Sequence, residues 1–193
     1  EECPTWEAFF HEYELDIKQQ DEFVLGDVDG TSLYNTLQSK ASTRATGLDG
    51  WRTPEAQILP SMFAHLFADL FSRIEMGGEW PAALENVPQA FLKKGESGTA
   101  LDGRHIGVLS VWLSSWGSTR LQDLGDWRNT WKTDAQVGSK KNSSITDVAY
   151  FMQVVCEAKD YEEEQVYLLL LDRVKCFDRF LRQILWPLMR AMG

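Results

Sequence analysis

The run Val166-Tyr167-Leu168-Leu169-Leu170-Leu171 limits the fold of this chain more than any other feature. Six apolar residues without alternation read as a strand covered on both faces, because a half-exposed strand alternates apolar with polar positions. Such a strand needs a packed layer on each side. The run is the longest apolar stretch in the chain and falls far short of the roughly 20 residues that span a bilayer. No membrane partner is therefore expected. The run ends in Asp172, which the strand would hold at its solvent-reaching edge.

Most of the remaining chain reads as helix. A short one is expected near residues 5–18, and another over Ser32–Ser42, where Leu33 and Leu37 share a face. Thr53-Pro54 has the form of a helix start, with Thr as cap and Pro in the first turn. Pro60 interrupts that helix, and a longer one runs to Met76. Its wide apolar face comprises Leu59, Met62, Phe63, Leu66, Phe67, Leu70, Phe71 and Ile74. Gly77-Gly78 ends it.

Val87–Leu92 and Ile106–Leu109 read as paired strands around a long polar tip. Leu113, Trp116, Leu121, Leu124, Trp127 and Trp131 suggest one helix, or two broken at Gly125. Ile145, Val148, Ala149, Met152, Val155 and Cys156 fall on one face of another helix, and a last helix covers about Asp178–Met192. The expected class is α+β, mostly helical. His65 sits in an apolar helix and is expected to be satisfied or partly buried.

The net charge of −10 argues, taken whole, against a nucleic-acid partner. Its distribution changes that. Residues 1–30 hold ten acids and one base, a net of −9, so the other 163 residues carry only −1. Residues 91–141 have eight bases and five acids, a net of +3, and a phosphate-facing middle is open. Cys3, Cys156 and Cys176 are odd in number and far apart. No metal spacing or disulfide framework follows, and an intracellular compartment, nucleus or cytoplasm, is expected. The acidic N-terminus lacks the apolar core of a secretory leader.

Two stretches could carry chemistry. In Leu171-Asp172-Arg173-Val174-Lys175-Cys176-Phe177-Asp178, a carboxylate follows the apolar run, and a turn feeds a helix that Asp178 can cap. A carboxylate so held can fix Mg²⁺ through oxygen while the ion keeps waters and substrate phosphates. The same residues also fit a plain strand–turn–helix with a surface Asp.

The second stretch, Phe23-Val24-Leu25-Gly26-Asp27-Val28-Asp29-Gly30-Thr31, resembles the Asp-x-Asp-Gly-Thr motif of haloacid-dehalogenase-type phosphatases. There Asp27 would be the nucleophile and Asp29 the acid/base. That family needs a buried strand before the motif, and only three residues qualify here.

The Asp172 stretch resembles motif A of reverse transcriptases, the RNA-directed DNA polymerases, in particular the non-LTR retrotransposon and group II intron types. Their pattern is an apolar strand followed by Asp-x-x-Lys-Ala-Phe-Asp. Other segments are similar to that family in its own order. Ala45-Thr46-Gly47-Leu48-Asp49-Gly50-Trp51 resembles Pro-Gly-x-Asp-Gly. Trp80-Pro81, Phe91-Leu92-Lys93-Lys94-Gly95, Arg104-His105-Ile106 and Leu109-Ser110 resemble Trp-Pro, Pro-Lys-Gly, Arg-Pro-Ile and Leu-Ser. Gln136-Val137-Gly138 stands where the family has Gln-x-Gly-Phe. The resemblance covers about residues 40–180.

The resemblance implies right-hand polymerase fingers with a fingers hairpin, and a partial palm made of its first strand and helix, without a thumb. Residues 1–30 are then an acidic N-terminal segment, 31–160 a fingers-like region and 161–193 the start of the palm. It implies RNA template, DNA primer and dNTP as partners of the parent enzyme, and Mg²⁺ in a two-metal site held by Asp172. Arg104 and Lys93 take finger positions facing the triphosphate, and Phe177 takes the place of the steric gate against the 2′-hydroxyl. Gly47, Asp49, Gly50 and Asp178 are structural.

The departures are His105 in place of Pro, Gly107 in place of Ser, Ser139 in place of Phe, and Arg173, Val174 and Cys176 within motif A. No Asp-Asp pair occurs in the chain, so the motif C carboxylates are missing. The polypeptide alone is expected to be inactive.

Overall fold

A computed structural model describes residues 4–17, 21–92, 104–133, 136–138, 144–171 and 181–193. These form two units. One comprises residues 24–126, and the other pairs residues 1–23 with residues 127–193. The architecture is mixed α+β, dominated by helix, with a small two-stranded antiparallel sheet.

The 24–126 unit begins at α2 (Gly30–Gln38), which starts where Asp29 accepts a hydrogen bond from the Ser32 N–H at 2.7 Å. That bond holds the exposed Asp29 carboxyl below its ordinary pKa. α3 (Thr53–Gln57) follows a turn-rich stretch. Its cap is Arg52 rather than the expected Thr53, because Glu55 reaches back to accept from the Arg52 N–H. Thr53 is instead buried. Gln57 turns toward the end of α2 and donates to the carbonyls of Leu37, Gln38 and Lys40, groups that a helix end otherwise leaves bare.

α4 (Ser61–Glu75) has the expected position and part of the expected buried face, since Phe71 and Ile74 are buried and Leu59, Phe67 and Leu70 pack against the core. Ala64, Ala68, Phe71 and Ile74 are buried, whereas Met62, Phe63 and Leu66 face solvent. The alanines admit α2 at close range. A Cβ added to Gly30 would lie 2.8 Å from the His65 Cα and still nearer its ring. His65, expected to be satisfied or partly buried, is exposed, with its ring lying over Gly30. Gly77 closes the helix with a positive φ of 100°, a conformation glycine adopts without steric cost.

α5 (Ala82–Glu85) follows the Trp80-Pro81 step. β1 (Gln89–Leu92) then pairs antiparallel with β2 (Arg104–Gly107), with Gln89 opposite Gly107 and Leu92 opposite Arg104. α6 (Val111–Asp123) is capped by Ser110 and buries Val111, Trp112, Ser115, Thr119 and Arg120. Its contact with α2 is made by small hydroxyl residues, and the Thr119 hydroxyl meets that of Thr36 at 3.2 Å. The core joins Leu33, Leu37, Phe71 and Trp112, with Phe67 stacked on Trp112 at 3.9 Å.

α7 (Gly125–Trp131) begins at the break expected at Gly125. In the second unit, α1 (Trp6–Tyr13) carries an aromatic stripe and packs on α9 (Arg182–Ala191). Trp127 donates to the Met192 carbonyl at 2.9 Å. Ile184 is the one fully buried apolar residue among those described in this unit. α8 (Ile145–Tyr161) has a Ser144–Asp147 capping box, yet no residue of it is buried.

The largest correction concerns Val166–Leu171. Among the described residues no strand pairs with it, and Leu168–Leu171 are 56 to 85% exposed. A strand buried on both faces needs neighbours in its ladder and layers above and below. The described residues place neither beside this run. Among the described residues, the expected covered strand is therefore an exposed run that belongs to no strand.

Candidate functional site

The turn at Gly47–Trp51 and the foot of the β1–β2 hairpin form the best-defined part of the candidate site. The Gly50 N–H donates to the Gly47 carbonyl at 3.2 Å, and Gly50 has φ +76°, so the turn needs a residue that tolerates the left-handed region. Gly47 lies directly against Ser110. A Cβ there would come within 2.6 Å of the Ser110 amide nitrogen. Asp49 is thereby brought to the start of α6, where its Oδ2 accepts from the Ser110 hydroxyl at 2.5 Å. The same hydroxyl oxygen accepts from the Trp112 N–H at 3.1 Å.

A carboxylate bonded to a cap residue also faces the positive end of the helix dipole. Trp51 meets Trp112 edge to face at 6.3 Å and pins the far side of the turn. Gly47, Asp49 and Gly50 thus hold the turn against the start of α6. Ser110 is the partner that sequence reading did not identify, since it lies 61 residues from Asp49.

Arg104 opens β2 opposite Leu92. Lys93, Asp172, Phe177 and Asp178, expected as a triphosphate contact, a metal ligand, a sugar gate and a structural residue, lie outside the described residues. Among the described residues no three His, Cys, Asp or Glu side chains gather as a metal site. An open groove of about 590 Å³, lined by Glu22, Phe23, Trp186, Met189, Arg190 and Gly193, contains none of the expected site residues.

The phosphatase-like stretch lacks the arrangement its chemistry requires. Residues 21–29 form no strand, and Val24 and Leu25 are exposed. Asp29 is engaged as the cap of α2.

Arg120, in α6, is the most heavily bonded side chain described. It is 7% exposed and pairs with Glu75 through two nitrogens, one at 2.8 Å. It also donates to Asp123 and to the Gly26 carbonyl, each at 2.9 Å. The Trp116 indole adds a bond to Glu75 at 2.7 Å. Burial alone would raise the Glu75 carboxyl, but the Arg120 and Trp116 donors and the Arg120 charge outweigh it and hold the pKa low. With every arm occupied, Arg120 is an anchor for residues 24–30 and not a phosphate-binding group. Lys40 is also committed, to the Ser114 carbonyl and the Ser118 hydroxyl, and burial lowers its pKa.

Comparison with protein-family models, curated proteins and solved structures finds no match to this chain.

Proposed function

We propose that the chain is the fingers and first palm segment of a retroelement reverse transcriptase, whose parent activity is RNA-templated DNA synthesis, and that these 193 residues alone do not polymerise. One observation carries the reading. Two elements that resemble the family separately, Gly47–Trp51 and Leu109-Ser110, meet through the 2.5 Å bond between Ser110 and Asp49. A chance set of short matches has no reason to converge. The meeting point lies close in sequence to β2, whose first residue, Arg104, is suited to bidentate phosphate contact.

In this reading Arg104 and Lys93 bind the triphosphate of the incoming dNTP. Phe177 lies under the sugar and excludes a 2′-hydroxyl, the atom that separates ribo- from deoxynucleotides. Asp172 supplies one carboxylate toward Mg²⁺, and Asp178 caps the helix behind it. A metal pair, when bound in the parent enzyme, activates the primer hydroxyl and neutralises the departing pyrophosphate. The donors in this chain do not complete that pair, because Asp172 has no Asp-Asp companion in the sequence. No catalytic step is assigned to the chain itself.

The departures at His105 and Gly107 favour a second reading, a non-catalytic retroelement relic. Two measurements on one preparation separate the readings. Primer–template affinity should fall steeply with salt, as counterion release requires. Primer extension with Mg²⁺ or Mn²⁺ should be absent. Robust DNA synthesis would overturn the assigned inactivity. Absence of salt-sensitive binding would overturn the fingers reading and leave the relic.

A further inference from the structure

We propose that Phe91 and His105, paired across the β1–β2 hairpin, form a stacking platform for an unpaired nucleobase. The inference rests on the polymerase reading and adds a contact to it. In an antiparallel pair, side chains alternate between faces, so Gln89, Phe91, His105 and Gly107 share one face while Ala90, Leu92 and Ile106 share the other. Phe91 and His105 are directly opposite in register. Their rings meet edge to face, with centroids 4.5 Å apart and planes at 66°. In that arrangement one ring gives its edge to the other and keeps its own face open.

Three observations select a base as the occupant. Phe91 remains 59% exposed with His105 beside it, so the cross-strand pair does not serve as core. The core rings of the 24–126 unit instead pack on one another: Trp112 under Phe67, and Trp116 against Phe71 and Trp80. The two strands also contain no acid in a chain with 29 of them, while Arg104 precedes His105. An exposed ring on two strands that themselves hold no carboxylate suits a nucleic acid strand, whose bases stack on aromatic faces and whose phosphates repel acids. Gly107 keeps the end of this face low, since a Cβ there would already lie 3.2 Å from Val87. A planar base can lie across it.

The test uses the full chain and a single-stranded RNA with 2-aminopurine at one position, read by anisotropy across a salt series and by base fluorescence. The wild type should bind with a salt-dependent affinity and quench the 2-aminopurine. Phe91→Leu keeps an apolar strand residue but removes the π face. It should weaken binding about fivefold or more at every salt concentration, leave the salt slope unchanged and abolish the quench. Phe91→Trp should restore both signals.

Binding that is salt-dependent but indifferent to Phe91→Leu would overturn the platform and leave the polymerase reading intact. No binding by the wild type even at low salt would overturn both. Self-association of the wild type that Phe91→Leu removes, with RNA affinity unchanged, would assign the face to a protein contact and overturn the platform.

Discussion

The two units of the molecule treat apolar residues in opposite ways. Between residues 24 and 126, Leu33, Leu37, Phe71 and Trp112 are almost completely withdrawn from water, and the helices around them meet through alanine, glycine, serine and threonine. In the other unit Ile184 is the fully buried apolar residue among those described, while Leu168–Leu171 and the Tyr150–Phe151 face of α8 are open to solvent. Both regions are rich in leucine and aromatics. What separates them is the partner surface: small residues at crossing points let elements approach, and only then does apolar area leave water. Hydrophobic content without a complementary surface gives helices but no core.

The sharpest way to break this comparison is truncation on each side of it. Trp112→Ala should cost about 3–5 kcal/mol, because it removes a large side chain stacked on Phe67 and leaves a cavity among close-packed neighbours. Urea unfolding followed by tryptophan fluorescence and by circular dichroism measures it. A loss near zero would show that the 24–126 unit is not the stable part.

Next in size, Arg120→Ala should cost about 2–3 kcal/mol, since Glu75 and the Gly26 carbonyl lose charge-assisted donors together. The same cluster has a pH signature. The depressed Glu75 carboxyl contributes stability that is present above its unfolded pKa of about 4.3 and is lost as pH falls through the lower folded value. The urea midpoint should therefore drop on acidification below that range, and drop less steeply in Glu75→Gln. Equal acid slopes for the two proteins would remove Glu75 from the account.

Gly47→Ala should destabilise by about 2 kcal/mol, as the added methyl meets the Ser110 backbone, which has no flexible end to yield. Asp49→Asn keeps the shape of the turn and should cost about 1 kcal/mol through the weakened bond to Ser110. If Asn costs more than Ala at Gly47, charge at the α6 terminus outweighs close approach. The smallest effect belongs to the open run. Leu169→Ser should change stability by no more than about 0.5 kcal/mol, and a loss above 2 kcal/mol would mean that the run is covered in solution.

Much of the candidate site was legible only as local grammar. The turn at Gly47–Gly50 could be read because two glycines around an aspartate mark a tight bend, and the hairpin because two short apolar segments flank a polar tip. What those elements touch could not be read. Ser110 carries no local mark of its bond to Asp49, and Glu75 and Arg120 are 45 residues apart with ordinary helical neighbours on each side. The α4 face misled for a related reason. Periodicity found the helix, but Ala64 and Ala68 weigh little on a hydrophobic scale although they mark the closest approach.

By itself, then, the amino-acid sequence determined local helix ends, through Asp29, Pro60, Gly77, Ser110 and Ser144, and the presence of two short paired strands. Those outcomes depend on hydrogen bonds and dihedral preferences spanning a few residues. Only the tertiary structure decided which faces are covered: the alanine stripe of α4 is, and Val166–Leu171 is not. Burial is a property of two surfaces brought together from distant parts of the chain, and a run of leucines specifies only one of them.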